Sequence, residues 1–207
     1  MAEHTHSKQI AAAGRRYLIP LGLSRKGRSR IWLDDQRWFV TVVEFQPSGF
    51  SKGSYLNVGA HFLWSADGHL SFDLGYRLEG LSEFESEEQF ELEADQLASR
   101  AAIEVQRLRS VLQSPIVVET VIEEGPWAQY HRGISQGLSG DREQATRNLH
   151  ANLEYCRLSS SAPNRVLACE HLLESLADPV RFKNTVVRII QKQRELVGLP
   201  AVEEVFP

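Results

Sequence analysis

Residues 86–112, SEEQFELEADQLASRAAIEVQRLRSVL, form the longest periodic segment of this 207-residue chain. Apolar residues recur there at steps of three and four positions: Phe90, Ala94, Leu97, Ala101, Val105, Leu108 and Leu112. Ser86 followed by Gln89 matches a capping box, and the acidic first turn suits the positive end of a helix dipole. The pattern predicts one long helix over 87–113 with a buried face, ended by Ser114-Pro115.

The segment before this helix has the composition of β-strands. After a short helix within 8–22, β-branched and aromatic residues predict strands over 29–34, 37–46 and 55–64, and a weaker fourth strand within 70–80. The strand 37–46 is apolar on both faces and is therefore expected at the centre of the sheet. Asp67-Gly68 predicts a hairpin between the third and fourth strands.

The chain after residue 115 has helical periodicity. It predicts a helical hairpin over 126–156, a helix over 164–176 and a last helix over 180–198 that ends at Gly198. In the last helix the apolar residues are expected to point inward: Phe182, Val186, Ile189, Ile190 and Leu196.

These patterns together predict an α+β fold, an antiparallel β-meander of about four strands covered by a long helix and followed by an all-helical C-terminal half. We expect a sheet domain over 1–115, and a helical region over 116–207 packed on it.

Composition narrows the function classes. The net charge is −4, so bulk electrostatics do not predict a nucleic-acid-binding protein.

No apolar run reaches the roughly 18 residues that a membrane span needs, and the first residues do not match a secretory signal. Cys156 and Cys169, the only cysteines, form no CxxC pair, which predicts two reduced, buried thiols in a cytoplasmic protein.

The stretch GLSRKGRSRIW, residues 22–32, places four cations, Arg25, Lys26, Arg28 and Arg30, within six positions. Such a loop can surround a phosphate with guanidinium groups and backbone amides. It can equally be a solvated turn whose charges keep a sheet edge from pairing with another chain, which is the commoner role of a charge run.

Asn57 and His61 lie on the polar face of the third predicted strand, with Gln46 across the hairpin. Together with the four loop cations they are the candidate ligand-binding residues. The sequence contains no GxSxG, P-loop or GxGxxG motif, and its histidines lack the HExxH spacing. We therefore assign no catalytic residue, no metal ligand and no cofactor.

Two segments resemble known families. Residues 18–64 resemble an uncharacterised bacterial domain family of unknown function. The resemblance is carried by LIPLGLSRKGR, the aromatic pair IW, VEFQPS and YLNVGAHFLW, and the family has no known activity to carry over. The segment 126–158, with YHRGISQGLSGDREQATRNLHANLE, is similar to a single tetratricopeptide-type helical hairpin, in which small residues let two helices approach closely.

Two function classes follow. The favoured one is a non-enzymatic cytoplasmic binding or protein-interaction module that meets a protein partner through its helical half. The alternative is a nucleic-acid or nucleotide-directed protein, either a binding protein or an enzyme, that uses the loop 25–30 and the polar face of strand 55–64.

Overall fold

The computed structural model describes residues 5–125, 127–159 and 163–206. The fold class is α+β, as predicted: the strands lie in the N-terminal half and most helices in the C-terminal half. The sheet is an antiparallel meander in the order β1-β2-β3-β4-β5. It has five strands rather than about four, because the two-residue strand β1 pairs with β2 through Ser24 opposite Leu33.

The elements follow one another along the chain. The first half contains α1 (Thr5–Leu18), a 3-10 turn (Ile19–Leu21), β1 (Ser24–Arg25), β2 (Ile31–Asp35), β3 (Phe39–Pro47), β4 (Gly53–Phe62), β5 (Leu74–Glu83) and α2 (Glu87–Val111). The second half contains a 3-10 turn (Pro115–Val117), α3 (Val118–Val121), α4 (Ala128–Ser139), α5 (Arg142–Ser159), α6 (Pro163–Ser175) and α7 (Pro179–Val197).

Contacts divide the chain into two compact units. The first contains the N-terminal segment to Gln36, Val40–Ala60 and Gly75–Ser110. The second contains Arg37–Phe39, His61–Leu74 and the chain from Val111 onward, so it includes two short segments of the sheet half.

In the first unit, α2 has the core face that its periodicity predicts, and both Leu97 and Leu108 are buried. The Ser86 hydroxyl accepts a hydrogen bond from the Gln89 amide at 3.1 Å, which is one arm of the predicted capping box. The Gln89 side chain accepts from the amide of Glu85 rather than from that of Ser86. Near its other end, Arg109 of α2 donates to both carboxylate oxygens of the buried Asp34 in β2.

The second unit is built on four helices that pack in a ring, each on the next and α7 on α4. Small residues allow this close packing, since a Cβ on Gly133 would lie 2.8 Å from Leu149, and one on Gly137 would lie 2.4 Å from the ring of Phe182. Gly140, with φ of +92°, ends α4 in the left-handed conformation and makes a tight turn into α5.

Two sequence predictions need adjustment. β5 begins at Leu74 rather than near residue 70, because the chain leaves β4 at Phe62 and forms an irregular connection over 63–73 instead of a two-residue hairpin at Asp67-Gly68. In α7, Phe182, Val186 and Ile190 are buried as predicted, but Leu196 is 50% exposed. Its face of the helix lines a groove rather than the core.

Candidate functional site

The basic loop is held partly by its own hydrogen bonds. The Arg25 guanidinium donates to the carbonyl oxygens of Ser29 at 2.6 Å and Arg28 at 2.9 Å, so it closes the turn that carries it. Lys26 and Arg28 are exposed. The loop thus presents two cations to solvent and uses Arg25 to hold its own backbone.

Arg30 is half-buried and donates to the Ser7 hydroxyl in α1. Burial, with a smaller effect from the neighbouring Arg25, lowers the pKa of the Arg30 guanidinium. Its side chain therefore points back to the N-terminal helix of the first unit.

Asn57 belongs to a polar network on strands β3, β4 and β5. Its side-chain nitrogen donates to Glu44 at 2.9 Å and, as predicted, meets Gln46, at 3.0 Å. Arg77 donates to both Asn57 and Gln46 and lies 4.1 Å over the ring of Tyr55. This network satisfies its own members and balances the Glu44 carboxylate against the Arg77 cation.

His61 is completely buried and belongs to the second unit, whereas the loop cations and Asn57 belong to the first. Its Nε2 lies 3.2 Å from the side-chain nitrogen of Gln193. Its Nδ1 lies 3.0 Å from both Ser71 Oγ and a carboxylate oxygen of Asp73, and 3.4 Å from the Ser71 amide nitrogen. A single ligand site formed by all six candidate residues remains a prediction.

Asp73 is the centre of this buried cluster. Its carboxylate accepts from the Phe62 amide at 2.7 Å, the Ser65 hydroxyl at 3.0 Å and the Ser71 hydroxyl at 3.2 Å. Burial alone raises the pKa of the carboxyl group, but His131, His61 and the hydrogen bonds outweigh burial and hold the pKa well below its ordinary value. Asp73 is therefore ionised, and its hydrogen bonds hold the connection over 63–73 in place within the second unit.

His131 of α4 completes the cluster. The Trp64 indole nitrogen, which can only donate, meets His131 Nδ1 at 3.0 Å, so the proton of this ring is on Nε2. That Nε2 faces Asp73 at 3.7 Å. Burial, only partly offset by Asp73, lowers the pKa of His131 to about 4, so the ring is neutral at pH 7.

Two histidines and one carboxylate resemble a metal-ligand set by type, but the geometry opposes that role. The donated Trp64 hydrogen occupies Nδ1 of His131, so coordination through Nε2 would require a doubly deprotonated imidazole. Consistent with this, the described residues contain no group of three or more His, Cys, Asp or Glu arranged to hold a metal ion. The cluster is best described as a buried hydrogen-bond network in which His131 Nε2 faces Asp73 without a hydrogen bond of its own.

The second unit also has an open groove between α6 and α7, with a volume of about 460 Å³. Its apolar lining consists of Ala66, Leu167, Ala168, Ile189 and Leu196. Leu167 is 55% exposed and Leu196 is 50% exposed, although both belong to this apolar surface. We call this feature the α6–α7 groove.

The polar residues of the α6–α7 groove are Asn164, His171, Thr185, Arg188, Lys192 and Gln193. Gln193 closes the inner side, because its side chain accepts from the Gly68 amide at 2.9 Å and donates to the His69 carbonyl at 3.0 Å while meeting His61. The groove and the buried cluster therefore share one side chain.

Arg194, the next residue, is also buried and donates to the carbonyl oxygens of Pro200 and Arg37. Together with Gln193 it ties α7 to the rest of the second unit. The groove is thus formed on a helix whose position is fixed before any ligand binds.

Comparison with known proteins finds no matching family model, no matching curated protein and no matching solved structure. Within the described residues no helix combines the length and apolarity that crossing a bilayer requires.

Sequence reasoning missed Asp73, His131 and Gln193 as partners of His61. It also missed the groove, although α7 carries a visible pattern: its lining residues recur over positions 185, 188, 189, 192, 193 and 196, which is one helical face. That face mixes cations with apolar residues, and this mixture is the feature from which a solvent-facing binding surface could have been inferred.

Proposed function

We propose that this protein is a non-enzymatic, cytoplasmic protein-interaction module whose helical half binds an amphipathic helix of a partner protein in the α6–α7 groove. The observation that carries the proposal is the half-exposure of Leu167 and Leu196 on one apolar surface. An amphipathic helix lying between two helices is an established mode of peptide recognition.

The dimensions favour a helix as the occupant. The lining residues of α7 extend from Thr185 to Leu196, which at 1.5 Å per residue is about 16 Å, or three helical turns. A small ligand of drug size would fit the volume. It would, however, lie on the floor and leave the outer faces of Leu167 and Leu196 in water, whereas a helix covers both.

Nucleic-acid binding through the loop 25–30 is the weaker alternative, because Arg25 and Arg30 donate hydrogen bonds to protein oxygens. If only Lys26 and Arg28 bind phosphates, the association constant for a DNA duplex should depend weakly on salt. Each neutralised phosphate contributes about 0.9 to the slope, so the logarithm of this constant should fall with the logarithm of the salt concentration at a slope of about two. We expect no measurable binding to DNA or RNA, even at low salt.

A library of displayed 16-residue peptides tests the proposal. We expect the enriched peptides to have apolar residues at helical spacing. Their affinity should be about 30-fold lower for Leu167→Asp, because the variant loses roughly 2 kcal/mol of apolar burial. Leu158→Asp is the matched control, because Leu158 on α5 is 88% exposed and does not line the groove. Absence of enrichment, or equal binding to both variants, would reject the proposal.

A further inference from the structure

We propose that the partner helix is acidic along one flank, with carboxylates that pair with Arg188 and Lys192 while its apolar side chains fill the α6–α7 groove. This inference rests on the proposed function and specifies the chemistry of the partner.

The two charged side chains that line the groove are both cations. They are Arg188 and Lys192, and no carboxylate is among the groove-lining residues that the structure describes. Helix α7 contains five arginines and lysines against a single acidic residue, Glu195, although the whole chain has a net charge of −4. A local excess of positive charge on an acidic protein selects for an oppositely charged partner.

The two α7 cations are positioned to act together. Arg188 and Lys192 are four residues apart, so they lie one above the other on the same side of the helix, about 6 Å apart along its axis. Arg188 donates to the Thr185 hydroxyl at 3.0 Å, which orients its guanidinium along the groove edge. Carboxylates spaced by one turn on a partner helix would match this pair.

Both cations remain available to a partner. Lys192 pairs with Glu195 at 2.7 Å, but both side chains are mostly exposed, and such a pair contributes little and exchanges readily. Arg188 is exposed, and its hydrogen bond to the neutral Thr185 hydroxyl leaves other guanidinium donors free to bind a carboxylate.

The groove floor sets the apolar side of the partner. Leu167, Ala168 and Ile189 all contribute to the apolar lining, and Ala168 is the smallest of the three. An acidic amphipathic helix can therefore place large apolar residues against this lining while its carboxylates pair with Arg188 and Lys192.

Three synthetic peptides with one shared leucine face and with Glu, Gln or Lys along the flank test the inference by fluorescence anisotropy. At low salt the Glu peptide should bind about tenfold more tightly than the Gln peptide, as expected for a few exposed charge pairs, and high salt should remove this difference. Arg188→Glu/Lys192→Glu should reverse the preference in favour of the Lys peptide. Arg181→Glu/Lys183→Glu is the matched control on the same helix outside the groove, and it should leave the ranking unchanged.

The outcomes separate the two proposals. Equal, salt-independent binding of the Glu and Gln peptides overturns the acidic partner and leaves the groove as a helix site. Failure of all three peptides to bind rejects the proposed function and this inference together. Displacement of the Glu peptide by decanoate at micromolar concentration would instead identify a small amphiphile as the occupant. Sedimentation could also show self-association that is lost in Leu167→Asp and kept in Leu158→Asp, and this result would identify a second copy of the chain. Either result overturns the inference.

Discussion

The buried His131 makes stability depend on pH in a window that can be calculated. Its pKa is lowered from 6.5 to about 4 by burial, so the fold holds the neutral ring. The unfolded chain takes up a proton on this histidine near pH 6.5, and the folded chain does not. The contribution of His131 to the free energy of unfolding is therefore complete above pH 6.5 and is lost as the pH falls toward 4. A difference of about 2.5 pKa units corresponds to about 3 kcal/mol.

Between pH 7.5 and 4.5 the expected loss in the free energy of unfolding is about 2–3 kcal/mol. The groups that interact electrostatically with His131 are Asp73, Arg165 and His61. The carboxyl of Asp73 has a lowered pKa, so its own contribution is lost only below about pH 4, the ordinary aspartate value, and does not enter this window.

Urea unfolding of the wild type and of His131→Asn at several pH values tests this calculation. The asparagine oxygen can still accept from the Trp64 indole, but it does not titrate. The variant should be less stable by about 1–2 kcal/mol at pH 7.5, because packing around the ring is lost, and should equal or exceed the wild type at pH 4.5. Parallel stability curves for the two proteins would show that His131 is not the buried neutral group described here.

Three further predictions concern the core. Leu108→Ala on α2 should lower the free energy of unfolding by about 2–5 kcal/mol, with a shift in the urea midpoint. Gly137→Ala should destabilise the protein by at least about 1 kcal/mol, since the added Cβ would lie 2.4 Å from the Phe182 ring and α4 or α7 must move. Cys156 and Cys169 are both free, and burial raises the pKa of each thiol, that of Cys169 to about 12. Mass spectrometry should therefore show slow alkylation of both in the native protein, two modified thiols after unfolding, and no intact bridge.

Local spacing was sufficient to predict the long helix. The three-and-four repeat of α2 defines its buried face, and the cap at Ser86 needs only residues within one turn. The apolar face of β4 follows in the same way from alternation, and Leu56, Val58 and Phe62 are all fully buried.

The buried cluster could not be predicted in this way, because its partners are distant in sequence. His61 meets Gln193 across 132 positions, and Trp64 meets His131 across 67. Nothing in the local pattern around His61 separates a strand residue facing solvent from one facing a helix that comes much later in the chain. The sequence pattern therefore predicts the contact between Asn57 and Gln46, but it does not predict the buried surroundings of His61.

Leu196 shows a second limit of periodicity. A helical repeat identifies an apolar face, but it does not say whether the protein itself covers that face. In α7 the ring of helices covers Phe182 and Ile190, and it leaves Leu196 half exposed. The same apolar pattern thus produces core on one side of the helix and an open surface on another.

Helix α7 also determines what binding to this surface costs. The hydrogen bonds of Gln193 and Arg194 hold the helix in place, so little ordering of the groove is required when a ligand binds. A partner helix of three turns is marginally stable alone in water, and an isolated peptide must lose backbone entropy to become helical. The same sequence should therefore bind more tightly when it is part of a folded helix than as a free peptide, because the ordering cost has already been met.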